Sequence, residues 1–296
     1  MTDTAVFMHS EPDTTTLDST MIGIPDASWC YWYHRMEIPG IGLVGVAPED
    51  GGECWDFRAP GRADEYLGAV SFADKRVLEV GPASGFWTVE LERRGAEVLC
   101  LEIDRQYEWD FVPNAAVDLA GLRADRAVIM DRLRASWHVV KASYGLRAQI
   151  IYGHAEQPPS DRGSFDAAML GCVLLHTRHP LTILERVAAM TTETIIIVER
   201  YFPELGDAPV CRLASSTRNR DWGTWWDFSP AFLVQALQLL GFAQVDVSYH
   251  RQQFRDVLLP MFTVVARRSW AVTLPVVPLP NGQPGHAPGA SRPDSP

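Results

Sequence analysis

Hydrophobic and polar positions change period several times along the middle of the chain. Residues 76–80 (RVLEV) form a short aliphatic run that reads as a buried strand, and residues 81–85 (GPASG) interrupt it. Residues 86–93 resume with apolar side chains at helical spacing, and Gly95 stops that helix in the manner of a C′ glycine. Residues 97–103 (EVLCLEI) are again strand-like. A strand, tight turn, helix and strand of this length predict a βαβ unit. Its crossover is right-handed, and ligands bind beyond the carboxyl ends of its strands.

The same reading continues downstream. Residues 148–153 predict a third strand, residues 164–175 a fourth, and residues 193–201 (ETIIIVERY) a fifth that is apolar enough for burial on both faces. A helix is expected over 181–190. Another should run from Pro230 to Leu240, with Ser229 as N-cap, Pro230 at the first helical position and Gly241 as its stop. Residues 244–249 and 262–267 predict a closing antiparallel pair, giving seven strand-like segments. Residues 105–145 exceed a bare connection, so an inserted helix or helix pair is expected over 115–144. Residues 202–224 are polar and predict a mobile lid containing Arg218 and Arg220.

These patterns divide the chain into a disordered N-terminus (1–20), an N-terminal extension (21–68), a main domain (69–270) and a disordered tail (271–296). The last is rich in Pro and Gly. Residues 40–52 are punctuated by Gly and Pro and predict a loop or short hairpin. Residues 55–67 predict an entry segment and helix.

Composition narrows the partners. The 296 residues have a formal net charge of −11, and lysine occurs only at positions 75 and 141. That balance argues against a nucleic-acid surface, which needs clustered basic residues. Five cysteines without C-x-x-C spacing predict free thiols in a reducing cytoplasm. Residues 1–20 lack a basic region followed by an apolar run, so no secretory signal is expected. No apolar run is long enough for a bilayer span. Oligomeric state is not legible.

The chemistry of the 76–104 unit points to a nucleoside. Gly81 and Gly85 have no Cβ and Ala83 has only a methyl, so a ligand can approach the backbone closely. Glu102 lies 21 residues beyond Gly81, at the tip of the second strand, where a carboxylate can accept from both ribose hydroxyls. A dinucleotide turn reads G-x-G-x-x-G and seats a pyrophosphate. Here the spacing is E-x-G-x-A-x-G, and Glu79 would repel a pyrophosphate but suit a cationic amino-acid group.

Residues 79–85 followed by Glu102 resemble motif I and the acidic loop of the class I S-adenosylmethionine-dependent methyltransferases, which usually show D/E-x-G-x-G-x-G. Ala83 in place of the middle Gly is the one departure. The resemblance implies a Rossmann-like α/β fold: a seven-stranded class I methyltransferase sheet with helices on both faces. Here it would carry an N-terminal aromatic extension and a helical insertion. It implies S-adenosylmethionine as cofactor, held by Glu79, Gly81, Pro82, Ala83, Ser84, Gly85, Glu102, Ile103 and Asp104. In the family a G-D-A stretch after the third strand touches adenine. The match is Gly153, His154 and Ala155, so a backbone contact from Ala155 is implied, and His154 stands where the acid would be. Gly171 and Cys172 would pass beside the sulfonium methyl. The stretch WYHRMEIPG, with the L-x-H-x-x-x-P match at His176 to Pro180, is also similar to the tRNA wobble-uridine carboxymethyltransferase-like group. The basic residues with which that group holds a carboxylated cofactor are not identifiable in this sequence.

Acceptor contacts are less sharply marked. Trp32, Tyr33 and His34 either plug the core or line an acceptor pocket with aromatic walls and one titratable group. Trp109, Phe111, Trp137 and His138 are candidates in the 105–145 segment, with docking of the helix as the alternative for Trp137. Trp225 and Trp226 either close over the acceptor or pack. His176 is a candidate general base, because an imidazole titrates near neutrality, or else it supports its own turn. His176 and His179 stand three apart, but the turn between them and the lack of a third suitably spaced ligand speak against a metal site. Three functions follow: a methyltransferase acting on a small-molecule acceptor, a tRNA-modifying methyltransferase, or a cofactor-binding protein without catalysis.

Overall fold

A computed structural model of the protein describes residues 25–46, 54–158, 160–219 and 221–269. The expectations for residues 1–20, for residues 271–296 and for Arg220 lie outside them.

The chain opens with a small hairpin, β1 (Met36–Ile38) and β2 (Gly42–Val44), and a two-residue strand, β3 (Trp55–Asp56). Then follow α1 (Arg62–Tyr66), β4 (Arg76–Val80), α2 (Phe86–Arg93), β5 (Glu97–Ile103), α3 (Leu119–Tyr144), β6 (Gln149–Gly153), β7 (Phe165–Gly171), α4 (Pro180–Met190) and β8 (Thr191–Arg200). A second hairpin joins β9 (Cys211–Leu213) to β10 (Trp226–Phe228). It leads into α5 (Pro230–Leu239), β11 (Gln244–Phe254) and β12 (Val257–Arg267).

The main sheet has the order β3-β11-β12-β8-β7-β4-β5-β6. The five strands β4 to β8 run parallel, and β12 is antiparallel to both β8 and β11. Without the short edge strand β3, this is the expected seven-stranded Rossmann-like sheet, five parallel strands closed by an antiparallel pair. The eighth strand arises because Trp55 and Asp56 of the N-terminal extension pair with the end of β11, Gln253 opposite Asp56 and Phe254 opposite Trp55.

Alternation along the central strands explains the two cores. On β4, Val77 faces a cluster containing Phe86, Trp87, Leu91, Trp137 and Val140 from α2 and α3. Leu78 and Val80 face the other side, with Ile183, Leu184, Leu233 and Leu237 from α4 and α5. Strands covered on both faces need apolar side chains on both, which is why the central runs are nearly continuous.

Three expectations change. The segment 105–145 holds one helix of 26 residues, and that helix is the crossover required between parallel β5 and β6. It is capped by the Asp118 side chain, which accepts from the amides of Ala120 and Gly121. Its second half packs in the core, so the extra length lies in residues 105–118 and the first turns of α3. The N-terminal extension shares the main core: Met36, Ile38, Val44 and Trp55 are buried in the same cluster as Trp87. Ser136 Oγ donates to the Tyr31 carbonyl at 2.6 Å, tying that segment to α3. Residues 202–224 are a pinned hairpin approach rather than a free lid. Arg212 pairs with Asp227 at 2.8 Å, and Val112 donates to the Trp222 carbonyl at 2.8 Å.

Candidate functional site

The turn after β4 is built by local backbone demands. The Gly81 amide donates to the Leu101 carbonyl at 2.9 Å, coupling the ends of β4 and β5. Gly81 and Gly85 have φ of 71° and 88°, in the left-handed region that glycine occupies without a Cβ penalty. A Cβ on Gly81 would lie 2.9 Å from Val173 Cγ2, and one on Gly85 would lie 3.2 Å from Trp137 Cδ1 and Val140 Cγ1. Ala83 also adopts a positive φ, 51°, so the one departure from the motif is accommodated at a steric cost of roughly 1–2 kcal/mol. Pro82 and Ser84 are buried beneath the turn.

Glu102 meets this turn from the neighbouring strand. It is 8% exposed, and its Oε1 accepts from the Ile103 amide at 2.8 Å. Burial pushes its carboxyl pKa up, opposed by the Ile103 amide, the Arg134 guanidinium and the Ala83 amide. The Gly81–Leu101 hydrogen bond, with Val80 paired to Leu101, places Glu102 at the next position of β5 beside the glycine turn, on the same crest of the sheet. Ile103, Asp104, His154, Ala155, Gly171, Cys172 and Val173 are all partly exposed along that crest.

Glu79 sits under the turn. Its Oε2 accepts from Thr88 Oγ1 at 2.6 Å and from Cys100 Sγ at 3.2 Å. Trp137 Nε1 donates to the same Thr88 hydroxyl at 3.1 Å. Glu79 Oε1 is buried with no partner, and burial raises the carboxyl pKa to about 7. Trp137 is 1% exposed and fills the space behind Gly85. That corrects its candidacy for acceptor contact, because its indole supports the turn from below. Thr88 and Arg134 were missed in the sequence, where a mid-helix Thr and one arginine among many carry no signal.

The remaining cofactor candidates spread along the crest. His154 Nδ1 accepts from the Glu156 amide at 3.2 Å, and its ring meets the Tyr107 edge at 5.0 Å between centroids. A Cβ on Gly171 would lie 2.6 Å from the Tyr66 hydroxyl. Cys172 takes a φ of 53°, and burial pushes its thiol pKa up.

The aromatic segment divides between the two roles left open. His34 is buried, its Nδ1 lying 2.9 Å from Ser84 Oγ, and burial lowers its pKa to about 3. It therefore braces the turn from outside. Trp32 and Tyr33 are half-buried and pack on the same core cluster.

The 105–118 segment and the 214–225 segment close the far side. Trp225 Nε1 donates to the Asp110 carbonyl at 2.7 Å, and Trp226 Nε1 donates to the Thr177 carbonyl at 2.9 Å. Both indole N–H groups are spent on backbone clamps, and Trp225 is 8% exposed. These contacts favour packing over closure on an acceptor. His138 is tied to the Tyr152 hydroxyl at 2.9 Å, and Phe111 is buried. His176 is half-buried in a short 3-10 turn, 5.1 Å from the Trp109 ring by centroids. Its Nδ1 lies 2.6 Å from the Gly223 carbonyl. A carbonyl only accepts, so Nδ1 carries the proton, and in the neutral ring Nε2 holds a free lone pair. Burial lowers the His176 pKa. His179 faces Glu156 at 3.2 Å instead of joining His176.

Two surface cavities, of about 490 and 460 Å³, lie away from this crest. One is beside Tyr201, Tyr249 and α5, the other beside the β1–β2 turn. Among the described residues no helix is long and apolar enough to cross a membrane.

No family profile and no curated protein sequence matches the chain. Solved structures do resemble it. The N-terminal domain of EvdMO1, crystallised in the presence of SAH and D-fucose, is 19% identical. The alignment covers 82% of this chain and 93% of that one, with a TM-score of 0.45. The 1,6-didemethyltoxoflavin-N1-methyltransferase of Burkholderia thailandensis, with 1,6-didemethyltoxoflavin and S-adenosylhomocysteine bound, is 17% identical over 69% of this chain and 75% of that one, with a TM-score of 0.48. The magnesium protoporphyrin IX methyltransferase of Synechocystis, with SAH bound, is 15% identical over 65% and 74% of the two chains, with a TM-score of 0.42.

Proposed function

We propose that the protein is an S-adenosylmethionine-dependent methyltransferase acting on the oxygen or nitrogen of a small-molecule acceptor. The observation behind this reading is the meeting of the Glu102 carboxylate with the glycine turn, across the Gly81–Leu101 hydrogen bond. The residues present fit the cofactor. Gly81 opens the turn at a φ of 71° that glycine adopts without penalty, and Glu79 Oε1 is a buried carboxylate oxygen without a partner.

In this reading Glu102 accepts from the ribose hydroxyls, with Ile103 and Asp104 beside it. Residues Gly81, Pro82, Ala83, Ser84 and Gly85 receive the amino-acid end, with Glu79 supplying negative charge beneath. His154 and Ala155 flank the adenine, and Gly171 and Cys172 pass the sulfonium side. When bound, the cofactor supplies an activated methyl group to a nucleophile in line with its carbon–sulfur bond. The protein's task is then mostly alignment, a term worth up to about 7–11 kcal/mol. His176 Nε2 would take the proton from the acceptor, and Nδ1–H bonded to Gly223 holds the tautomer that leaves Nε2 free.

Calorimetry with S-adenosylhomocysteine tests the cofactor half. Binding by the native protein and a loss of tenfold or more in Glu102→Ala are expected, whereas equal affinity would remove the ribose role. Incubation with labelled methyl donor and separate small-molecule and RNA fractions tests the rest. Label in small molecules is expected. Label confined to RNA would favour the wobble-uridine reading, and tight binding without label in any fraction would favour a non-catalytic protein.

A further inference from the structure

Around the Trp109 ring, four residues from four separate segments come together. Arg126, on the first half of α3, lies over the Trp109 ring with its guanidinium carbon 4.7 Å from the centroid. The His176 ring approaches the same indole at 5.1 Å between centroids. Gly223 completes the group: a Cβ placed on it would be 3.6 Å from Trp109 Nε1 and 3.8 Å from an Arg126 terminal nitrogen. Its carbonyl is the acceptor for His176 Nδ1. The charge of Arg126 is also felt at Tyr31, Tyr33 and His176.

The group has more donors than acceptors. Among the described residues no carboxylate forms an ion pair with Arg126. The nearby acid, Asp221, is exposed and acts on His176 without pairing the guanidinium. Trp109 Nε1 is buried and has no acceptor. An unmet buried N–H costs roughly 1–3 kcal/mol, so a structural role alone leaves this arrangement unexplained. A single oxyanion would answer both the indole N–H and the guanidinium, and a guanidinium stacked on an aromatic ring is held in a fixed plane suited to a two-oxygen ligand.

We infer that the acceptor carries an anionic group, a carboxylate or a phosphate, which Arg126 holds over Trp109 so that a neighbouring hydroxyl or amine faces His176 Nε2. The inference rests on the methyltransferase reading for its orientation toward the crest, but the anion site itself can be measured apart from that reading.

The test uses the full chain loaded with S-adenosylhomocysteine and titrated in turn with benzoate, inorganic phosphate and neutral benzamide, in the native protein and in Arg126→Gln. Equal affinity of the two proteins for S-adenosylhomocysteine establishes that the variant is folded, and failure of both to bind it defeats the cofactor reading rather than the anion site. The expected result is saturable binding of benzoate or of phosphate, weakened tenfold or more in Arg126→Gln, with benzamide indifferent to the substitution. Preference between the two anions assigns carboxylate or phosphate. Loaded protein that binds neither anion, or binds them equally in both forms, overturns the inference. So does methyl transfer from labelled donor only to metabolites that an anion exchanger does not retain.

Discussion

The imidazole of His34 lies 2.9 Å from the hydroxyl of Ser84, in the middle of the glycine turn, and the His34 amide donates to the same oxygen at 3.1 Å. One aromatic residue from the N-terminal extension thus fixes the turn by two bonds to a single atom. The ring is buried among Tyr33, Phe57 and Phe86. His34→Ala should destabilise the fold by about 2–4 kcal/mol, through lost packing and an unpaired Ser84, and should weaken S-adenosylhomocysteine binding. Urea unfolding and calorimetry measure the two effects. A variant with native cofactor affinity would detach the extension from the site.

The same residue makes stability depend on pH. Its pKa falls from the ordinary 6.5 to about 3 on folding because burial disfavours the charged ring. The unfolded chain then binds more protons between these values, so stability rises with pH there, by up to about 1.4 kcal/mol per unit. The contribution is complete above pH 6.5 and is lost as pH falls toward 3. Unfolding midpoints measured from pH 7 down to 4.5 should decline more steeply in the native protein than in His34→Gln. Parallel lines would show that His34 is not the group responsible.

Gly81 gives a sharper local test. Its φ of 71° and the 2.9 Å approach of Val173 Cγ2 both oppose a side chain. Gly81→Ala should cost about 2 kcal/mol or more, combining left-handed strain with overpacking. Cofactor affinity should drop further than stability alone accounts for. Thermal unfolding with and without S-adenosylhomocysteine separates the two, and a native ligand-induced shift in the variant would free the turn from its proposed role.

How much of this was legible in the sequence follows from distance along the chain. The βαβ unit could be read because its signals are local: a run, a turn, a period, a glycine and an acid within thirty residues. The five parallel strands and the closing pair were readable for the same reason. The expected insertion is the crossover helix α3, because periodicity says nothing about which two strands a helix connects. The choice between ligand contact and helix docking for Trp137 is not local, because nothing in its neighbourhood reveals that Gly85 leaves a space for its ring. Arg126 carries no local sign, since its partners Trp109 and Gly223 lie 17 and 97 residues away along the chain. Glu199 does leave a signal, an acid inside a run apolar enough for burial on both faces.

Glu199 makes that signal testable. It is 2% exposed, its Oε1 has no partner, and burial raises its pKa from the ordinary 4.5 to about 8. A raised acid contributes stability below its unfolded pKa and loses it as pH climbs through the folded value. Glu199→Gln keeps the neutral shape, so it should change little at pH 5 and should raise the melting temperature at pH 9. Equal melting temperatures for both proteins at pH 9 would mean that the carboxylate finds charge compensation. Glu79, with its pKa raised to about 7, acts with the same sign and is held constant in this comparison.

His176 carries the mechanistic prediction. Its tautomer is set by the Gly223 carbonyl at 2.6 Å, and burial lowers its pKa below the ordinary 6.5. If Nε2 receives the acceptor proton, turnover requires the neutral ring, and the acid limb of the turnover profile must fall below pH 6.5. His176→Gln should lower kcat by about 10²–10⁴, the span of general-base catalysis, with the affinity for S-adenosylhomocysteine unchanged. The acid limb should vanish from what activity remains. A merely supporting His176 predicts otherwise: the variant would lose stability and keep the limb. Measuring kcat against pH in both proteins, with cofactor affinity as the control, decides between the two, and a limb that survives the substitution returns His176 to a structural part in its turn.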